Sequence, residues 1–483
     1  MSRLGWILIV LVLLTGTVSL HVYYSLHRVA PVPQFVSAED HFLYGSIGTE
    51  EERGVPYWIW LVLPRIFPEY LPAPGGLASI GIIARDGHEM PIGLSKVDIG
   101  VPRVGVNCAL CHTATVRATP ADAPMIYPGA PAHQTGAQEY VRFLVAAASD
   151  PRFTPDTILN EIARNVKLSL PDQLLYRFVL IPDTRRALLR LADVEAATKR
   201  PGWGRGRTDL VSRAKFTILR QRADAVIGTA DAMPLWHLRS REQNGYQWDR
   251  SNTSLREAVG SAAVIEGASA RWMDTDTEMW DRTGAKQPSS LRRVLEYLSD
   301  LGPPKYPFAV NSTLAAAGAM TYASTCAQCH DANGSRAKSP IPVAEIGTDR
   351  SRVDAWTAES AAAFNAFGEG HGWKFSSFRK PASGYVAPPL DGVWLSAPYL
   401  HNGSVPTLSD LLEPPASRPA RFWRGYDVYD QARVGFISDG PDAQRLGTLL
   451  DVTQPGNGNG GHTYGTTLPA DQKRALIEYL KTR

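Results

Sequence analysis

All four cysteines of this chain fall into two copies of one pattern, Cys108-Ala-Leu-Cys111-His112 and Cys326-Ala-Gln-Cys329-His330. Two thiols three residues apart reach the two vinyl groups along one edge of a porphyrin, and the imidazole that follows falls beneath its iron. A neutral imidazole is an ordinary iron ligand, and adjoining thioethers hold it at the metal. The spacing therefore predicts two covalently bound c-type haems, attached at Cys108, Cys111, Cys326 and Cys329, with His112 and His330 as iron ligands. The rival chemistries fit less well. Disulfides across two intervening residues are strained and usually catalytic. Zinc would need its ligands gathered at one point, whereas the two clusters lie more than two hundred residues apart.

A chain of 483 residues exceeds what one hydrophobic core usually supports. Its net charge is +3, from 50 basic and 47 acidic residues, which argues against nucleic acid as a partner. The segment Trp6–Tyr24 holds one ionisable residue, His21. As a helix it would be about 28 Å long, close to the hydrocarbon thickness of a bilayer. Arg3 precedes it; His27, Arg28, Pro31 and Pro33 follow, and no small-x-small cleavage site is evident. Residues 1–30 thus read as an uncleaved anchor in the bacterial inner membrane, with the body facing the periplasm. A second aromatic run, Pro56-Tyr-Trp-Ile-Trp-Leu-Val-Leu-Pro64, is too short to span. It reads either as a core helix or as a patch dipping into the membrane interface around Trp58 and Trp60.

Two segments resemble each other, Arg292–Leu301 and Arg474–Arg483, and both have the apolar spacing of amphipathic helices. Gly302-Pro303-Pro304 follows the first copy and marks a stop. This places an N-terminal haem domain at residues 31–302 and a C-terminal cytochrome c-type domain at 303–483. In the second, Leu314–Cys326 reads as a helix leading into the attachment site, with Gly318 allowing the closing helix to cross nearby against Tyr479. The first site lacks that lead-in, because Val101–Asn107 reads as extended chain. The expected fold is mainly α: two haem domains in tandem, long loop-rich insertions in the first, and an N-terminal transmembrane helix.

The opposite axial ligand decides much of what a haem does. No Met follows Met320, which is too close to Cys326 to reach the far face, so the second iron is left with His371, His401 and His462. His462, in the glycine-rich run Gly456–Gly465, is preferred because glycines let backbone approach a flat ligand. His401 comes second, its alternative being to pin the turn at Asn402-Gly403. For the first iron, Met125, His133, Met233, His237, Met273 and Met279 are all available. Trp236 and Trp248, in aromatic stretches rich in charged groups, are candidate catalytic residues of a distal pocket or, equally, parts of a buried loop.

These residues resemble the di-haem cytochrome c superfamily that contains bacterial cytochrome c peroxidases and the rubber-oxygenase-like proteins. Pro388–Thr407 looks like the peroxidase segment with a Pro-Tyr-Met-His-Asp-Gly run, although Leu400 and Asn402 stand at the Met and Asp positions. Gly461–Gly465 with its closing helix looks more like the rubber-oxygenase-like branch, whose second haem is held by two His, implying His330 with His462. In that branch the first haem keeps an open face beside an aromatic residue, here Trp236 or Trp248. No Glu motif of the peroxidase kind is evident.

Three function classes follow. In the first, the chain transfers electrons between a redox partner protein and a periplasmic acceptor. In the alternative, it is a haem-dependent oxidoreductase, oxygenase- or peroxidase-like, reacting with a small-molecule oxidant at the N-terminal haem while the C-terminal haem relays electrons. A structural subunit with incidental haems is the third reading.

Overall fold

A computed structural model of the protein describes residues 2–27, 33, 35–198, 201–222, 224–241, 245–282, 288–337, 339–380 and 383–483. Among these residues no helix is long and apolar enough to cross a membrane, which corrects the expected transmembrane helix. A helix of 25 residues does form, Arg3–His27. Its unbroken apolar run, however, is the nine residues Trp6–Leu14, after which come Thr15, Gly16, Thr17, Ser19 and His21. Nine residues rise only about 14 Å, against about 30 Å of hydrocarbon. The boundary placed at residue 30 lies outside the described residues.

The mainly α expectation is corrected as well. The chain is 46% helical, and among the described residues helices alternate with six small sheets, all antiparallel. The physical reason is local: β-branched residues flank the first attachment site on both sides. Leu94–Ile99 pairs with Val101–Val106 and Val55–Pro56 completes that sheet, while Thr113–Val116 pairs with Met125–Pro128. The extended reading of Val101–Asn107 therefore holds, and a strand rather than a helix delivers the first cysteine.

The aromatic run at 56–64 is a core helix. Tyr57–Ile66 buries Tyr57, Ile59, Trp60, Val62 and Leu63, and Trp60 Nε1 donates to Tyr140 Oη at 3.0 Å. The two similar segments are both helical, Ser290–Asp300 and Ala470–Leu480. Residues 301–311 between Ser290–Asp300 and Ser312–Thr325 carry no helix or strand.

Among the described residues three apolar clusters organise the interior, with a small satellite. One is built from residues 42–301 around the Tyr57–Ile66 helix. A second joins Ala114, Val116 and Trp236 to Tyr322, Trp394, Tyr429 and Leu476. The third unites Ile47, Val259 and Met273 with Trp356, Phe364 and Phe375. Two of these clusters thus draw on residues from either side of position 302.

Candidate haem centres

The C-terminal site begins with the Ser312–Thr325 helix, capped by Asn311, whose side chain accepts from Leu314 N. It crosses the Ala470–Leu480 helix at Gly318, where an added Cβ would lie 2.0 Å from the Ala475 carbonyl oxygen and 2.9 Å from Tyr479 Cβ. This is the close crossing that the sequence implies, and Tyr322 packs on Tyr479 beside it with ring centres 5.1 Å apart. The pair ends in a short helix, Ala327–His330, that puts Cys326, Cys329 and His330 on the wall of a largely apolar cavity. Met320 points away from it and is 74% exposed.

His330 Nδ1 lies 2.7 Å from the Pro388 carbonyl oxygen. A carbonyl only accepts, so Nδ1 carries the proton and Nε2 keeps its lone pair for a metal. Across the cavity stands His462, with ring centres 6.3 Å apart and planes at 58°. A metal bonds an imidazole nitrogen at about 2 Å and the ring centre lies about 1 Å further, so two imidazoles on opposite faces of one metal stand about 6 Å apart. The pair fits that spacing. Burial holds His462 down at about 4 and lowers His330 too, so both rings are neutral and able to ligate.

His462 itself sits at φ +44°, held by its N–H to Ile346 O at 2.7 Å. Preceding it, Gly461 crosses the 346–348 loop so closely that a Cβ would meet Gly347 C at 2.2 Å. The glycine freedom is therefore spent on a chain crossing. Arg418 then clamps the loop by donating to the carbonyls of Asn459, Gly461 and His462. Sequence reasoning missed Arg418, which sits in an unremarkable Pro-Ala-Ser-Arg-Pro stretch and carries no local signal.

His401 lines the same cavity but lies flat on Tyr385, ring centres 3.9 Å apart and planes at 20°. Burial, with Arg352 and Arg207 nearby, pushes it down to about 3, and its Nε2 is buried without a hydrogen-bond partner. The turn is pinned instead by Asn402, whose Nδ2 donates to the carbonyls of Gly456 and Gly458. His371 is at the surface, stacked on Trp373.

At the N-terminal site the Val101–Val106 strand ends on Asn107, whose side chain caps the turn Cys108–Leu110 by accepting from Ala109 N and donating to the carbonyls of Leu43 and Gly45. Gly129 N donates to His112 O and Ala132 N to Cys111 O, fastening the motif to the following loop. Burial raises the Cys108 thiol to about 12 and Cys111 further, and lowers His112 to about 4. None of the four thiols is bridged to another. Among the described residues no group of three His, Cys, Asp or Glu gathers as zinc would require.

No described ring faces His112 as His462 faces His330. His133 stacks on Phe436 at 3.4 Å with both nitrogens unpartnered, and His237 lies near the surface, its Nδ1 3.3 Å from an Asp391 carboxylate oxygen. Met233 contributes its carbonyl beside the His112 ring, which favours the protonated form against the larger effect of burial. Met125 is half-buried, its sulfur near Tyr127 Oη; Met273 is in the third core cluster and Met279 half-buried on the same helix.

Trp236 is buried, with Nε1 donating to Asp391 O at 2.6 Å, and Trp248 donates to Asp231 O at 2.8 Å. Both indole N–H groups are thus committed to backbone. Trp248 lines the C-terminal cavity, while Trp236 packs with Ala114 and Val116, just beyond His112. Arg424 Nη2 bonds both Asp231 carboxylate oxygens at 2.9 and 3.0 Å, and Arg352 pairs with Asp249 at 2.7 Å.

Residues 384–424 match the family described as RoxA-like, cytochrome c-like. The match links the chain to the cytochrome c superfamily. A cytochrome c-like domain implies covalent haem c, and the matched stretch supplies Pro388, which accepts from His330, and His401. Two relatives from Sinorhizobium fredii (strain NBRC 101917 / NGR234) are similar over part of their length. Uncharacterized protein y4iJ is 27% identical, covering 60% of this chain and 62% of the relative. Uncharacterized protein y4iM is 34% identical, covering 39% of this chain and 53% of the relative. The chain therefore spans less than two thirds of either.

Proposed function

We propose that this chain is an exported di-haem c-type cytochrome that transfers electrons through covalently bound haems. The observation that carries the reading is the His330–His462 pair, set 6.3 Å apart over Cys326 and Cys329. Bound haem supplies a one-electron iron couple whose potential follows its axial ligands. The chain's own part is to hold both imidazoles neutral and oriented, His330 through Pro388 and His462 through Arg418, and to keep the cavity walls apolar around them. With haem bound there, His330 and His462 would both be committed to its iron, which suits electron transfer. The chemistry of covalent haem attachment supports a periplasmic location and a redox protein as partner.

A second reading rests on the asymmetry between the sites. His112 has no facing imidazole among the described residues, which favours a reaction with a small-molecule oxidant at the N-terminal haem. Electron paramagnetic resonance of the oxidised protein separates the readings. The electron-carrier reading expects two low-spin signals unmoved by cyanide. A high-spin, cyanide-sensitive signal from the N-terminal haem would replace it with the enzyme reading.

A further inference from the structure

We infer that the outer face of the helix beginning at Leu170 is a docking surface for an anionic lipid bilayer, which the protein meets without crossing. The helical run comprises Leu170–Leu175, a π turn at Tyr176–Leu180, and Ile181–Thr198. Its inner face is satisfied, because Leu175, Tyr176, Leu180 and Ile181 are buried in the first core cluster. Its outer face carries a second apolar stripe at four-residue spacing, Leu170, Leu174 and Phe178, exposed by 69%, 40% and 69%. A helix apolar on two faces with only one of them packed is built to meet something else.

Two observations point to lipid. First, the stripe is continuous with further apolar surface. The Arg3–His27 helix packs against Leu170–Leu175 and exposes Leu4, Trp6 and Leu13 by 60% or more. Second, the rim carries a net positive charge, although Arg164, Arg177 and Arg186 pair with Glu161, Asp156 and Asp183. Residues 155–190 hold six basic against four acidic residues. About two turns beyond Phe178, Arg186, which pairs with Asp183, and Arg185, which also donates to the carbonyls of Ala148 and Asp150, border a groove lined by Phe153, Pro155, Ile181 and Pro182. Apolar side chains flanked by guanidiniums match an interface of acyl chains below and phosphate headgroups above.

Flotation of the full-length holoprotein with phosphatidylcholine vesicles, with and without phosphatidylglycerol, tests this. Wild type should float with the anionic vesicles. The Leu170→Asp/Phe178→Asp variant, which keeps the Arg3–His27 helix, should bind at least ten-fold more weakly, and Arg186→Glu should weaken binding to anionic vesicles only. Hydrogen exchange of the wild type needs no variant, and amides 170–181 should slow when anionic vesicles are added. The inference is overturned if the double variant floats like wild type, if exchange at 170–181 is unchanged, or if the double mutation abolishes a dimer seen by sedimentation velocity while vesicle binding stays the same. Unaltered Soret and far-ultraviolet spectra of each variant establish that the fold is intact.

Discussion

His330 and His462 face each other with ring centres 6.3 Å apart, although 132 positions separate them in the chain. Neither ring is placed by its neighbours in sequence alone. One is oriented by the Pro388 carbonyl, the other by a loop that Arg418 and Ile346 hold. His462→Met should therefore raise the potential of the C-terminal haem, since a thioether favours the ferrous state, whereas His401→Ala should leave its low-spin signal in place. Potentiometric titration with electron paramagnetic resonance checks both. Loss of the signal in His401→Ala alone would reverse the two ligands.

Haem content should be two per chain by the pyridine haemochrome assay, and Cys326→Ala with Cys329→Ala should leave one. A value of one for the wild type would remove the N-terminal haem from the reading.

Gly318→Ala should destabilise the C-terminal helix pair by about 1–3 kcal/mol, the usual cost of forcing extra volume into a packed interface. The added methyl has the Ala475 carbonyl oxygen 2.0 Å away, and backbone cannot rotate aside as a long side chain would. Thermal unfolding followed by circular dichroism measures it.

Asp231→Ala should cost about 3–5 kcal/mol, because it leaves the Arg424 guanidinium buried without its carboxylate. The other Arg424 contacts are neutral carbonyls, of Arg205 and Gly403, which cannot offset the charge. Urea unfolding of the holoprotein is the measurement.

Acidification should destabilise the protein through His41. Ser290 Oγ donates to Ser46 O, so His41 Nε2 carries its own proton toward Ser290, and the ring is neutral. Burial first, and Arg293 second, lower its pKa from 6.5 to about 4. Since the folded value lies below the unfolded one, the unfolded chain binds the extra proton between them. The stability is complete above pH 6.5 and falls as pH drops toward 4, by about 3 kcal/mol in all. His41→Gln should flatten that part of the stability profile, measured by urea unfolding across pH 4–7.

Local chemistry made the two Cys-x-x-Cys-His motifs, the Gly318 crossing and the two similar helices readable from the chain. Each rests on residues close in sequence, Cys-x-x-Cys-His spacing or helical periodicity, or on one glycine facing one aromatic. The first site's extended lead-in was legible for the same reason, since alternating Val residues favour a strand wherever they lie. What tertiary structure decided were matters of distance. Apolar composition suggested that Trp6–Tyr24 spans a membrane and left Tyr57–Leu63 ambiguous, but packing put the second in the core. Both His401 and His462 border one cavity, and only folding set one flat on Tyr385 and the other opposite His330. Arg418 and the Asp231–Arg424 pair left no trace in local pattern, because a buried charge is selected by partners that the chain brings to it from afar.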